Sequence, residues 1–160
     1  MVTRLHRALG EPQSHLNRLK DIFTLNKCRV SIMKPRIVKA ASLKEYLTPE
    51  HCFIYENWGS VLGGDEKVSI ARARVEPGVT TKAHHLEGVQ EIYLIVKGCG
   101  KVNVAGLEPT EVAQGDTVII PPNVSQRITN IGKTDLIFYC ICTPAFTENC
   151  YHNEEAESAP

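Results

Sequence analysis

The sequence has no surplus of either charge: 18 Lys and Arg balance 18 Asp and Glu over 160 residues. Nucleic acids and anionic membranes recruit proteins through a basic excess, so neither is expected as a partner. No apolar run approaches the roughly 20 residues that a membrane-spanning helix needs. The N-terminal stretch lacks an apolar core followed by a small-residue cleavage site, so no secretory signal is read and a cytoplasmic location is expected. None of the six cysteines (28, 52, 99, 140, 142 and 150) forms a C-x-x-C pair. Reduced thiols are then the expectation. Cys140 and Cys142 fall two apart and share one face of any strand that contains them. They read as small buried apolar side chains, with a redox or metal role as the competing reading. Long helical periodicity is missing from residues 51–143 as well, which weighs against an alternating α/β fold.

The length suits one domain with a sizeable core and one or two tails. Residues 1–32 mix basic and polar residues with scattered Leu. Within them, Leu16, Leu19, Ile22 and Phe23 recur at helical spacing over 15–25, about three turns, which is marginal alone in water. Met33 opens a segment that reads as a chain start. Residues 1–32 are therefore expected to be an extension outside the core, poorly ordered or a short helix. The body is expected over 33–148. Residues 149–160 end in NEEAESAP and are expected to form a disordered acidic tail.

Between these ends the pattern is strand, turn, strand. Residues 51–56 are β-rich. Residues 67–75 alternate, with Val68, Ile70, Arg72 and Arg74 on one face and Ser69, Ala71, Ala73 and Val75 on the other. The two arginines read as outward-facing. Residues 90–96 are apolar on both faces apart from Gln90 and Glu91, and 97–100 form a turn. Further strands are read at 101–104, 117–120, 125–129 and 136–143. Short strands at such spacing predict an all-β sandwich or jelly-roll barrel. Strands apolar on both faces need outside cover, which a second copy would supply, so a homodimer is expected.

Two spacings stand out. The first runs Gly78, five residues, His84, one residue, Leu86, four residues, Glu91, six residues, Gly98. The second runs Gly115, five residues, Pro121, then Asn123, Gln126 and Asn130, and sixteen residues separate the two. Together they resemble the paired motifs of the cupins, most strongly over 69–143. The resemblance implies a single double-stranded β-helix barrel. Asn123 stands where the motif has Gly, a mild change because Asn visits the left-handed conformation more readily than most residues.

The cupin resemblance also implies a metal held by two His and a Glu of the first motif and a His of the second. Here His84 and Glu91 remain, Leu86 replaces one His, and Gln126 replaces the other. The implied ligand set is His84, Glu91 and Gln126, for Mn, Fe, Ni or Zn, which this donor set does not distinguish. If the turn before Glu91 restores parity, His84, Leu86, Glu91 and Tyr93 all face the barrel interior and His85 points away. His85 would replace the missing ligand only through a bulge. Glu91 lies among apolar residues and needs a partner or a raised pKa. Tyr93 is a candidate acid or a core residue, Gln126 a ligand or a satisfied core amide, and Arg127 a surface or dimer residue.

Two classes of function follow. One is a small-molecule enzyme of dioxygenase, isomerase, cyclase or lyase type, with His84, Glu91 and Tyr93 as catalytic residues, metal-dependent or working by acid–base chemistry. The other is a non-catalytic module binding a sugar or organic acid, with Leu86 on the pocket wall. A dimeric scaffold with a vestigial pocket is the third reading.

Overall fold

In a computed structural model, the residues described are 34–64 and 66–155. The helix expected over 15–25 and the extension over 1–32 lie outside them. The described chain is all-β, with eleven strands in order: β1 (Tyr46–Leu47), β2 (Phe53–Trp58), β3 (Ser69–Val75), β4 (His84–Leu86), β5 (Gln90–Lys97), β6 (Cys99–Val104), β7 (Thr110–Ala113), β8 (Thr117–Ile120), β9 (Gln126–Asn130), β10 (Leu136–Thr143) and β11 (Tyr151–Asn153). They form two antiparallel sheets ordered β1-β2-β3-β10-β5-β8 and β11-β4-β9-β6-β7.

Alternation along each strand sends one face inward, and the two inner faces make the core. Val75, Ile95, Ile120, Ile128 and Leu136 are at most 1% exposed and belong to one apolar cluster with Tyr93 and Phe138. Special backbone positions set the corners. Asn123 takes φ 64°, the left-handed conformation that its motif position demands, and its Oδ1 accepts the Gly88 N–H at 3.1 Å. Gly98 ends β5 at φ 83°, where a Cβ would stand 2.9 Å from the Asp135 carbonyl oxygen. Asn130, fully buried, donates to the Val75 and Thr134 carbonyls at 2.8 and 2.9 Å and accepts from the Gly132 N–H at 2.9 Å. It staples the turn between β9 and β10, with every polar atom satisfied.

Arg72 and Arg74 lie on the outer side of β3. Glu45 pairs with both, at 2.9 Å from Arg74 Nη2 and 3.3 Å from Arg72 Nη1, while their guanidinium groups sit over the Tyr55 and Phe53 rings. Arg127 is exposed, with Nη1 3.8 Å from Glu155.

The chain end differs from expectation. Residues 149–155, read as part of a disordered tail, are ordered. Cys150 is buried with Leu86, Val89 and Cys142, against Phe146 and Tyr151. β11 then pairs with β4, Tyr151 opposite Leu86 and Asn153 opposite His84. Glu154 and Glu155 are exposed but partnered: their carboxylates take His85, Ser125 and the Ala83 N–H. Apolar anchors and backbone pairing outweigh an acidic composition here. The strand at β6 also begins earlier than read, since Cys99 and Gly100 pair with Ala113 and Val112 of β7.

Candidate functional site

Strand parity decides which side chains enter the barrel. His84 and Leu86 alternate on β4, Glu91 and Tyr93 on β5, and all four are buried, 3–6% exposed. His85 points outward, its Nδ1 2.7 Å from Glu154 Oε1, so it takes no place inside.

The sheets then bring polar groups together across the core. His84 pairs with Gln126 in the β4–β9 ladder, and Glu91 stands opposite Cys142 in the β5–β10 ladder. Gln126 reaches from one sheet to the other, and its Nε2 donates to Glu91 Oε2 at 2.6 Å. The Cys142 thiol donates to Glu91 Oε1 at 3.8 Å. Burial pushes the Glu91 carboxyl above its ordinary value, and the Gln126 N–H and His84 offset this only in part. Gln126 Oε1 is buried with no partner among the described residues. His84 Nδ1 lies 3.0 Å from the Lys82 carbonyl oxygen. A carbonyl only accepts, so Nδ1 carries the hydrogen of that bond and Nε2 is the nitrogen left for other chemistry.

One acidic residue at this site was not singled out in the sequence. Glu50 lies 3.7 Å from His84 Nδ1. It is set by a tight turn ahead of β2: the Thr48 N–H donates to the Cys52 carbonyl, the His51 N–H to the Thr48 carbonyl, and His51 adopts φ 68°. The Glu50 carbonyl also accepts the Lys82 N–H at 3.2 Å, which ties the turn to the segment leading into β4. The Glu50 side chain is 22% exposed, and burial raises its carboxyl to about 7. It faces a cavity of about 440 Å³ that Ile54, Glu56, Trp58, Cys140 and Cys142 also line. The only sequence signal is an acidic residue after Pro49 in a short turn, and such turns are common.

His84, Leu86, Glu91, Tyr93 and Gln126 do not line this cavity. They stand one layer behind it: His84 backs Glu50, and Glu91 backs Cys142. Tyr93, a candidate acid, packs its ring on Phe138 with centroids 4.6 Å apart, and burial holds its phenol well above the ordinary value. It is a core residue. Leu86, expected on the pocket wall, fills the small cluster around Cys150 instead.

His84, Glu91 and Gln126 do not fit a tightly held divalent metal. Gln126 turns its N–H toward Glu91, where a shared cation would need the amide oxygen. The other Glu91 oxygen takes the Cys142 thiol. Leu86 places hydrocarbon at the position of a second imidazole. Among the described residues no three His, Cys, Asp or Glu side chains converge to hold an ion, whereas catalytic metal sites are built on three protein ligands. Mn, Fe, Ni or Zn finds no complete donor set here.

Comparison with known proteins agrees with this architecture. The sequence profile of the cupin domain matches residues 71–142. An uncharacterised protein of Methanocaldococcus jannaschii is 33% identical over 105 residues, covering 66% of this chain and 83% of the relative. Among solved structures, a predicted oxalate decarboxylase of Thermotoga maritima superposes with a TM-score of 0.61 at 22% identity, over 68% of this chain and 99% of the other. Pac13 of Streptomyces, a nucleoside dehydratase, gives 0.63 at 16% identity, over 79% and 95%. At these identities the two structures speak for the fold.

Proposed function

The chain belongs to the cupin superfamily, and on that premise we propose that it is a small-molecule enzyme working by general acid–base catalysis, with Glu50 as the proton carrier and His84 behind it. The observation that carries this reading is the double position of Glu50, which faces the cavity while standing 3.7 Å from an imidazole nitrogen. A carboxyl held at about 7 exchanges protons in both directions near neutral pH, as a catalytic acid–base needs. Ionised, a Glu50 oxygen takes a proton from bound substrate; protonated, it returns one. His84 Nδ1 is committed to the Lys82 carbonyl, so the imidazole stands beside the Glu50 carboxyl without a hydrogen bond to it. Glu91, with Gln126 and Cys142, keeps a second carboxyl one layer from the cavity. The same barrel serves a nucleoside dehydratase in Streptomyces, which makes isomerisation and elimination the reactions to try first.

The test needs no known substrate. Candidate small molecules are incubated in deuterated water and followed by NMR for protein-dependent exchange of a substrate proton. The wild type is expected to catalyse exchange on at least one compound, and Glu50→Gln to slow it by about 10²–10⁴-fold. Exchange that survives Glu50→Gln at full rate would sink the assignment. A non-catalytic reading has one observation in its favour, the withdrawal of His84 and Glu91 from the cavity wall. It requires saturable binding with no exchange on any bound compound.

The proposal includes a homodimer. Leu94 and Ile119 are 37% and 62% exposed on neighbouring strands of the larger sheet, and a second copy is the occupant proposed for this face. Light scattering on wild type and Leu94→Glu should give dimer and monomer; two monomers would refute it.

A further inference from the structure

The cavity wall carries charge of one sign. Glu50, Glu56 and Glu148 all contribute to its lining, and among the described residues no Lys, Arg or His does. Among the described residues Glu56 and Glu148 have no ion-pair partner, and Glu50 faces only His84. The Arg36 guanidinium lies 5.1 Å from the Trp58 ring centroid but does not reach the lining. Aromatic groups supply the second, independent feature. Tyr46, Trp58 and Phe146 line the same space, and the Arg36 contact demonstrates that the Trp58 ring takes a cation. A volume of about 440 Å³ falls within the size range of small-molecule sites.

An anionic ligand entering here would meet three glutamate side chains and, among the described residues, no basic side chain in the lining, the nearest guanidinium being that of Arg36 at the Trp58 ring. A cationic one would meet complementary charge and ring faces, in a space where both count for more than in water. We infer that this cavity selects an organic cation, an amine or guanidine on a small apolar or aromatic body, and rejects carboxylates. The inference rests on the proposed function only in taking this cavity as the substrate site. It also turns the ligand class away from the organic acids considered from the sequence.

Trp58 is the single Trp of the chain and reports on the cavity directly. Its fluorescence is titrated with benzylamine, benzyl alcohol and benzoate, which share a ring and differ in charge, with calorimetry as the second readout. Benzylamine is expected to bind saturably, at least about tenfold more tightly than benzyl alcohol, with benzoate silent. The double variant Glu50→Gln/Glu56→Gln, checked for wild-type-like melting, should lose that preference while keeping its affinity for benzyl alcohol. Benzoate or benzyl alcohol binding as tightly as benzylamine overturns the inference. So does the absence of both fluorescence change and heat with millimolar benzylamine. Amine selectivity without proton exchange on any amine would leave this inference standing and remove the catalytic reading. Exchange on an anionic substrate that depends on Glu50 would do the reverse.

Discussion

Replacing Glu50 by Gln should stabilise the protein by an amount that grows as pH rises from about 4.5 to about 7. The carboxyl ionises near 4.5 when exposed and at about 7 in the fold, because burial disfavours its charge. In that window the unfolded chain has released a proton that the folded chain still holds, so wild-type stability falls as pH rises from about 4.5 to about 7 and then levels off. Each pH unit of that window is worth about 1.4 kcal/mol, which sets a ceiling of about 3 kcal/mol. With 22% of the side chain exposed, about 2–3 kcal/mol is the working figure. Gln cannot ionise and escapes the penalty. Tyr46, Cys52, Glu91 and Tyr151 also feel this charge. The substitution removes that influence as well, so the difference between the two proteins at two pH values reports Glu50 together with the groups coupled to it. Urea unfolding at about pH 4 should give equal stabilities, and at about pH 8 the variant should gain about 2–3 kcal/mol. A gain that is the same at both pH values, or a loss at the higher one, would refute the reasoning. A buried charge kept at a stability cost is the kind of trade-off that functional sites show.

Three further outcomes follow from the site and its supports. Leu86→Ala should cost about 2–5 kcal/mol in urea unfolding, because it empties a buried cluster shared with Val89, Cys142 and Cys150. A cost below about 1 kcal/mol would mean that the cluster is not packed as described. Asn123→Val should cost about 1–2 kcal/mol for holding a β-branched residue at φ 64°, while Asn123→Gly should be nearly neutral; equal effects would contradict the backbone argument. Chelator treatment should leave the melting temperature unchanged, since the donor set around Glu91 is committed to Gln126 and Cys142. A drop of several degrees reversed by one added metal would contradict this.

What could be read from the sequence is what depends on local order. Alternation is a property of neighbours, so His84 shares a face with Leu86, and Glu91 with Tyr93, by strand parity; bringing both pairs inward needed the turn between 86 and 91 to restore parity. The Asn at 123 is legible for the same reason: a left-handed corner restricts which residue types can stand there, and the corner lies at φ 64°. Glu50 was illegible because its importance is a long-range contact. Nothing in the turn around Pro49 announces that its carboxylate will reach His84. The chain end misled for a different reason. Composition reports the solvation of side chains, whereas β11 is held by backbone pairing to β4 and by the buried Cys150. Leu86 was legible as an inward residue but not as a plug, because its neighbours Cys142 and Cys150 arrive from other parts of the chain.

The central claim is that Glu50 is the proton-exchanging carboxyl of the cavity, and its titration is directly measurable. Protein labelled with ¹³C at the Glu carboxyl carbons is followed by NMR across the pH range, with Glu50→Gln identifying the signal. The account predicts one cavity carboxyl with its midpoint near 7, absent from the variant. A Glu50 signal that titrates near 4.5 would contradict it.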